Sequence, residues 1–304
     1  MAARFWRFLL GCELLFAAAV TALLAAIFSL TPVEVLLSAL VACLSAPCVL
    51  VASTFALGRI AARASSPEPT NTYDVCRALI DESIAFGAAT LSVIAEPYRP
   101  MEQVGLPAGS APAKPVLLIH GIVCNRGVWR PLLERLRAAG FAPVRAVNLE
   151  PLFADIDSHA ASVVREVREL HRESKGAPVA IVAHSMGGLV ARVALRSISP
   201  EVISHVVTIA SPHHGTVIAR FLRSLPARQM RPQSKWLQQL NASQEGHLPV
   251  PMTSIYSLQD NLIAPPRSAI LQGSRLHELR GLGHLSLLRA RQSIDCALAA
   301  LSGA

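Results

Sequence analysis

The sequence predicts an α/β fold, a mostly parallel sheet covered by helices on both faces, preceded by a pair of membrane-spanning helices. Three observations carry this expectation. From Pro115 onward, short apolar runs alternate with helical stretches. Residues 1 to 58 hold only four charged side chains, Arg4, Arg7, Glu13 and Glu34. A serine stands where one apolar run meets a pair of glycines, in "VAIVAHSMGGLVARVAL".

The apolar front comes first. Residues 8–30 carry one charge, Glu13, and a helix of that length reaches about 35 Å, enough to cross a bilayer. Thr31-Pro32-Val33-Glu34 supplies a turn, because proline restricts its predecessor and stops helix propagation. Residues 35–57 follow without any charge and form the second candidate span, with Pro47 as a point of bending. The rival reading is a cleavable secretory signal, since Arg4 and Arg7 also precede an apolar run. "LLGC" at residues 9–12 falls too early for a lipoprotein cleavage box, and the second apolar run would hold the chain in the membrane in any case. Arg4 and Arg7 precede the pair, Arg59 and Arg63 follow it, and the turn has no basic residue. Both termini are therefore expected on the cytoplasmic side; if only one segment spans, the same rule puts the domain outside.

Residues 1–64 thus read as a membrane anchor, and 65–114 as a linker. The linker opens with the polar break "SSPEPTNT", continues as an amphipathic helix over 73–95 and ends in a proline-bearing connection. The folded domain occupies 115–304. Its expected strands are "VLLIH" (116–120), "PVRAVNL", "VAIVAH", "HVVTIAS", "MTSIYSL" and "RLHELRG". Helices are expected over 126–140, from Ser158, over 187–197 and over 285–301. Apolar runs of this length separated by helices imply βαβ units and a sheet buried on both faces. Between 213 and 250 the rhythm fails, and arginines interleave with Phe221, Leu222, Leu225 and Trp236. That segment reads as a cap over a pocket, with a surface helical insertion as the alternative.

The whole chain carries a net charge of +8, and the front contributes nothing to it, since its two arginines and two glutamates cancel. A basic domain suits an anionic membrane surface. Without zinc-finger spacing or an aromatic-interleaved basic stretch, nucleic acid is not an expected partner. The six cysteines, at 12, 43, 48, 76, 124 and 296, form no CxxC pair and read as free thiols.

Ser185 stands at the turn from the strand 179–184 into a helix starting at Gly187. A nucleophile there projects from a crowded elbow at the carboxyl edge of the sheet, and Ala183 replaces the first glycine of G-x-S-x-G with another small residue. The plainer reading is a helix N-cap. A reactive serine needs a base, and the base an orienting acid, in the chain order Ser, acid, His. Asp260 follows the strand "MTSIYSL" and His284 follows the last strand, whereas Asp295 comes after His284. The negative oxygen of an acyl-transfer intermediate needs fixed donors: the backbone N–H of Met186 is one, and that of Ile122, in "HGIVCN", the other. Gly121 allows close backbone approach there, and His120 reads as shaping the loop.

At this point the sequence resembles the α/β-hydrolase lipases and esterases of bacteria, particularly the small Bacillus-type triacylglycerol lipases. "VLLIHGI", "VAIVAHSMGG", "TSIYSLQDNLIAP" and "LHELRGLGHLSLL" carry the likeness, with "ASPHHGT" similar to T-P-H-x-G-[ST] of related lipases. The resemblance covers residues 116–300. It implies Ser185 as nucleophile, Asp260 and His284 as its partners, and Ile122 and Met186 as oxyanion donors. Taken with the apolar front, a bacterial inner membrane is the expected setting, and a lipid or acyl ester the expected substrate. Larger secreted lipases place a calcium-binding aspartate two residues after the histidine, where this chain has Ser286, so no such metal is expected, and no cofactor. His213 and His214 are adjacent on one strand end without a carboxylate cluster, which disfavours a metal there. The small relatives lack both a cap and an anchor. The expected function is ester hydrolysis; acyl transfer or thioester cleavage by the same three residues, and a non-catalytic membrane-tethered interaction module, are the alternatives.

Overall fold

The computed structural model describes residues 1–63, 71–98, 114–244 and 246–303. The polar break and the proline-bearing connection expected between 65 and 114 lie largely outside them.

Six strands form one sheet: β1 (Val116–Ile119), β2 (Val144–Val147), β3 (Val179–His184), β4 (Ile203–Ile209), β5 (Met252–Ser257) and β6 (Arg275–Leu279). The order is β2-β1-β3-β4-β5-β6 and every pairing is parallel. Alternate residues of the central strands feed two separate cores. Leu118, Val182 and Val207 face one side with Trp129, Leu132 and Ala297, while Ile119, Ile181 and Val206 face the other with Val163, Val167 and Leu189. The first layer is built by α4 (Arg130–Ala138) and α9 (Arg291–Ser302), the second by α5 (Ile156–Glu173) and α6 (Met186–Ala194). Burial on both faces explains why these strands read as continuous apolar runs.

Three boundaries differ from the sequence expectation. Helix α5 starts at Ile156, not near Ser158, because the Asp155 side chain accepts from the Ser158 N–H at 2.8 Å and caps it. The stretch 126–129 is a 3₁₀ turn leading into α4. The closing helix begins at Arg291, not 285: residues 286–288 form a separate 3₁₀ turn, and the N–H groups of Leu285 and Ser286 are directed to a side chain elsewhere. In the 213–250 segment a 3₁₀ turn (Val217–Phe221) precedes α7 (Leu225–Gln229) and α8 (Lys235–Ala242).

Ahead of the sheet lie α1 (Ala2–Phe28), α2 (Pro32–Arg63) and α3 (Thr72–Ala95). Helix α1 ends at Ser29 in the left-handed conformation, φ 50°. Helix α2 opens with reciprocal capping, Thr31 N donating to Glu34 Oε2 at 2.8 Å and Glu34 N to Thr31 Oγ1 at 3.4 Å. Large apolar side chains along both helices stand in the open, among them Leu15, Phe16, Leu36 and Val41. By length and composition α1, residues 32–60 of α2 and α3 are each long and apolar enough to cross a membrane. Helix α3 therefore joins the two segments that the sequence singles out. Its apolar stretch is packed more deeply than theirs, with Ala78, Glu82, Ala85 and Val93 buried against the rest of the molecule.

The depth of the sheet makes a stability prediction. Ile181, fully buried in the central strand, should cost roughly 2–5 kcal/mol when cut to alanine. Leu276 on the edge strand β6 is 44% exposed, and its alanine variant should stay within about 0.5 kcal/mol. Thermal unfolding of the detergent-solubilised protein reads both.

Candidate active site

Strand β3 occupies the middle of the sheet, and at its carboxyl end the backbone turns sharply into α6. Ser185 makes that turn with φ 56° and ψ −127°, a conformation that costs a non-glycine residue on the order of 1–3 kcal/mol. It is held by ladder bonding to the next strand, Ser185 N donating to the Ile209 carbonyl at 2.9 Å. The serine side chain makes no capping bond to α6, so the N-cap reading does not describe it. Crowding explains the flanking glycines. A Cβ on Gly187 would sit 2.5 Å from the Ile119 carbonyl oxygen, and one on Gly121 2.9 Å from Ser185 Cβ.

Asp260 lies just beyond β5 and His284 just beyond β6, and the parallel sheet brings both to the same edge as Ser185. His284 Nδ1 donates to Asp260 at 3.0 Å (Oδ2) and 3.1 Å (Oδ1). Asp260 Oδ1 also accepts the N–H groups of Leu262 and Ile263 at 2.8 and 2.9 Å, which fixes the carboxylate. With Nδ1 carrying the proton, His284 Nε2 keeps a free lone pair. Burial by itself pulls the His284 pKa down, but the Asp260 charge and hydrogen bond, with a smaller contribution from Glu82, outweigh it and leave it raised. His184, whose ring centroid is 4.6 Å from that of His284, is held neutral by its burial and then by the neighbouring imidazole. Its Nε2–H donates to the His284 carbonyl at 3.2 Å.

Ser185, His284, Gly121 and Ile122 border one cavity of about 330 Å³. Met186 begins α6 directly behind the serine. His120 is committed elsewhere: Nδ1 donates to the Gly121 carbonyl at 2.8 Å and Nε2 accepts from Leu149 N at 3.1 Å. Burial first of all pushes its pKa down to about 4, so it is a neutral strut between two loops. His213 is buried with Nε2 against Thr208 Oγ1 at 3.1 Å. Thr216, Ile218, Ala219, Leu222 and Met230 from the 213–250 segment also line the cavity.

The sequence reading missed the groups that hold these loops, and most of them come from the N-terminal helices. Glu82 of α3, 1% exposed, accepts from Leu285 N at 2.9 Å and Ser286 N at 2.8 Å, the two residues after His284. Thr54 of α2 accepts from Asn261 Nδ2 at 2.8 Å, while Asn261 Oδ1 accepts the His284 N–H at 2.9 Å. Trp6 of α1 donates through Nε1 to the Val123 carbonyl at 2.8 Å, beside Ile122. Near the far end of α3, the Val93 carbonyl accepts from Asn125 Nδ2 at 2.9 Å, and Glu96 pairs with Arg126. The available signal was an acidic pair, Asp81-Glu82, in the middle of a largely apolar helix.

A family model described as the PGAP1-like alpha/beta domain matches residues 155–281. The triacylglycerol lipase of Burkholderia plantarii is 26% identical over 147 residues, 46% of this chain and 39% of that protein. The triacylglycerol lipase of Pseudomonas fragi is 27% identical over 118 residues, 36% of this chain and 38% of that protein. The chain thus spans about two-fifths of the length of these curated relatives. Among solved structures, mature lipase BlEst2 of Bacillus licheniformis superposes with a TM-score of 0.57 at 16% identity, covering 65% of this chain and 96% of that one. Lipase B of Aspergillus fumigatus gives 0.56 at 23% identity, covering 66% and 56%. The two structures share the fold, and the family model and the sequence relatives make residues 155–281 and their surroundings similar to the α/β domains of lipases.

Proposed function

We propose that the protein is a membrane-anchored serine hydrolase that cleaves carboxylic esters of lipids or acyl chains through an acyl-enzyme. One observation carries the reading: a serine held in a strained strand-to-helix turn shares an apolar cavity with a histidine whose other ring nitrogen is bonded to a buried aspartate.

His284 Nε2 takes the Ser185 proton as Oγ bonds to the ester carbonyl carbon, and the carbonyl π electrons move onto oxygen. The Met186 and Ile122 N–H groups receive that oxyanion. Collapse breaks the bond to the leaving alkoxide, which takes the proton from His284 and departs as the alcohol. Water then attacks the acyl-enzyme with His284 again as base, releasing the carboxylic acid and Ser185. Asp260 holds the imidazole in the required tautomer and offsets its positive charge.

The anchoring rests on α1 and α2. The Trp6–Val123 bond places the start of α1 at the hydrolase domain and the Thr54–Asn261 bond places the later part of α2 there. The turn between them lies at the far end, as in a hairpin crossing twice. With Arg4, Arg7, Arg59 and Arg63 at the domain end, the positive-inside rule puts that domain on the cytoplasmic face of an inner membrane.

In a p-nitrophenyl ester series, Ser185→Ala should lower kcat by at least roughly four orders of magnitude and abolish fluorophosphonate labelling, and Asp260→Asn should lower kcat about 10⁴-fold. Undiminished turnover in the serine variant would sink the mechanism. Because the base must be neutral and its pKa is raised, kcat/KM should climb with pH through a midpoint above the ordinary histidine value of 6.5. Glu82→Gln removes a negative charge beside His284 and turns one accepting oxygen into a donor. Its pH midpoint should fall, with kcat reduced by about ten- to a hundredfold; an unmoved midpoint would assign Glu82 a purely structural part.

A further inference from the structure

The cavity beside Ser185 has two walls of different origin. One comes from the hydrolase domain, through the loop after β1 and the 213–250 segment. The other comes from the membrane helices: Phe5 and Trp6 of α1, Leu50 and Val51 of α2, Phe86 of α3. Among these, Trp6 and Phe86 meet edge to face with centroids 5.6 Å apart, and the indole N–H is bound to the Val123 carbonyl, so the rings form a fixed surface. Val51 is buried beside Phe55 and Ala78. Around the nucleophile and base the lining is almost entirely carbon, and the volume lies in the range of sites that bury a small ligand. At the rim Leu50 is 51% exposed and Leu222 46% exposed, and Phe221 and Leu225 stand open nearby. That rim continues the uncovered apolar surface of α2, including Val49 and Leu44.

We infer that α1, α2 and α3 build the acyl-chain site of this hydrolase, and that a lipid ester enters it sideways from the bilayer, its chain lodged between Trp6, Val51 and Phe86. The inference rests on the hydrolase reading above and adds where the substrate lies and which residues measure its length. A water-filled approach would strand an alkyl chain against polar groups; this rim lets the chain pass from lipid to cavity without leaving an apolar medium.

The test uses the full-length protein in detergent and an alkyl fluorophosphonate with a diazirine midway along its chain. Ser185 Oγ bonds to phosphorus as the P–F bond breaks, fluoride leaves with the electron pair, and the serine proton passes to His284. Photolysis followed by peptide mapping then reports what the tethered chain touches. Cross-links to peptides spanning 5–6, 50–55 or 82–86 are expected; cross-links confined to 216–230 would overturn the site. The second arm is the ester chain-length series. Val51→Trp, which fills the cavity, should lower the kcat/KM ratio of long over short acyl chains by about tenfold or more, and Phe86→Ala, which enlarges it, should raise that ratio. Ratios unmoved in both variants would overturn the site while leaving the hydrolase intact. A parent protein that neither labels nor turns over any ester would bring down the hydrolase reading, and the acyl site with it.

Discussion

The arrangement turns on how the loop after β6 is held. Its histidine is gripped twice, through the ring by Asp260 and through the backbone by Glu82 and Asn261. Burying a carboxylate is costly unless its oxygens are satisfied; the N–H groups of Leu285 and Ser286 offset part of that cost for Glu82, whose pKa burial still leaves raised. Those N–H groups open the 3₁₀ turn at 286–288, where they have no acceptor within the turn, and the Glu82 carboxylate satisfies them. One side chain from a remote helix thus holds the main chain beside His284.

The same logic recurs at the neighbouring loops. Helix α1 holds the loop after β1 through Trp6, α2 holds the loop after β5 through Thr54 and Asn261, and α3 holds the histidine loop and the 3₁₀ turn at 126–129. Loops at the carboxyl edge of a parallel sheet have few partners of their own. Here the N-terminal helices supply them. The N-terminal helices and this edge of the sheet are consequently one packed unit, and truncating the helices would remove bonds from each loop in turn.

The apolar surroundings also shape the electrostatics. Around His284 the charged neighbours are Asp260 and Glu82, with neutral His184 against its face. In a medium of low polarity their influence is strong, so the imidazole keeps its proton to higher pH than a free histidine despite being buried. A neutral His184 adds no competing positive charge.

Much of this was written locally in the chain. Apolar runs spaced by helical stretches specify a parallel sheet, because strands buried on both faces must be apolar throughout. "AHSMGG" specifies the elbow, because only small residues fit where Gly187 and Gly121 approach the backbone and Ser185. The placement of Asp260 and His284 followed from loop order alone, since successive strands of such a sheet end at the same edge. The helical front was legible from the rarity of charge. What the sequence could not disclose is the docking of that front on the domain. Glu82, Thr54 and Trp6 lie between 117 and 207 residues from the atoms they bind, and no periodicity or spacing encodes contacts across such separations. Only tertiary packing decides which buried polar groups meet, because their pairing is enforced by the cost of leaving them unpaired in a dry interior.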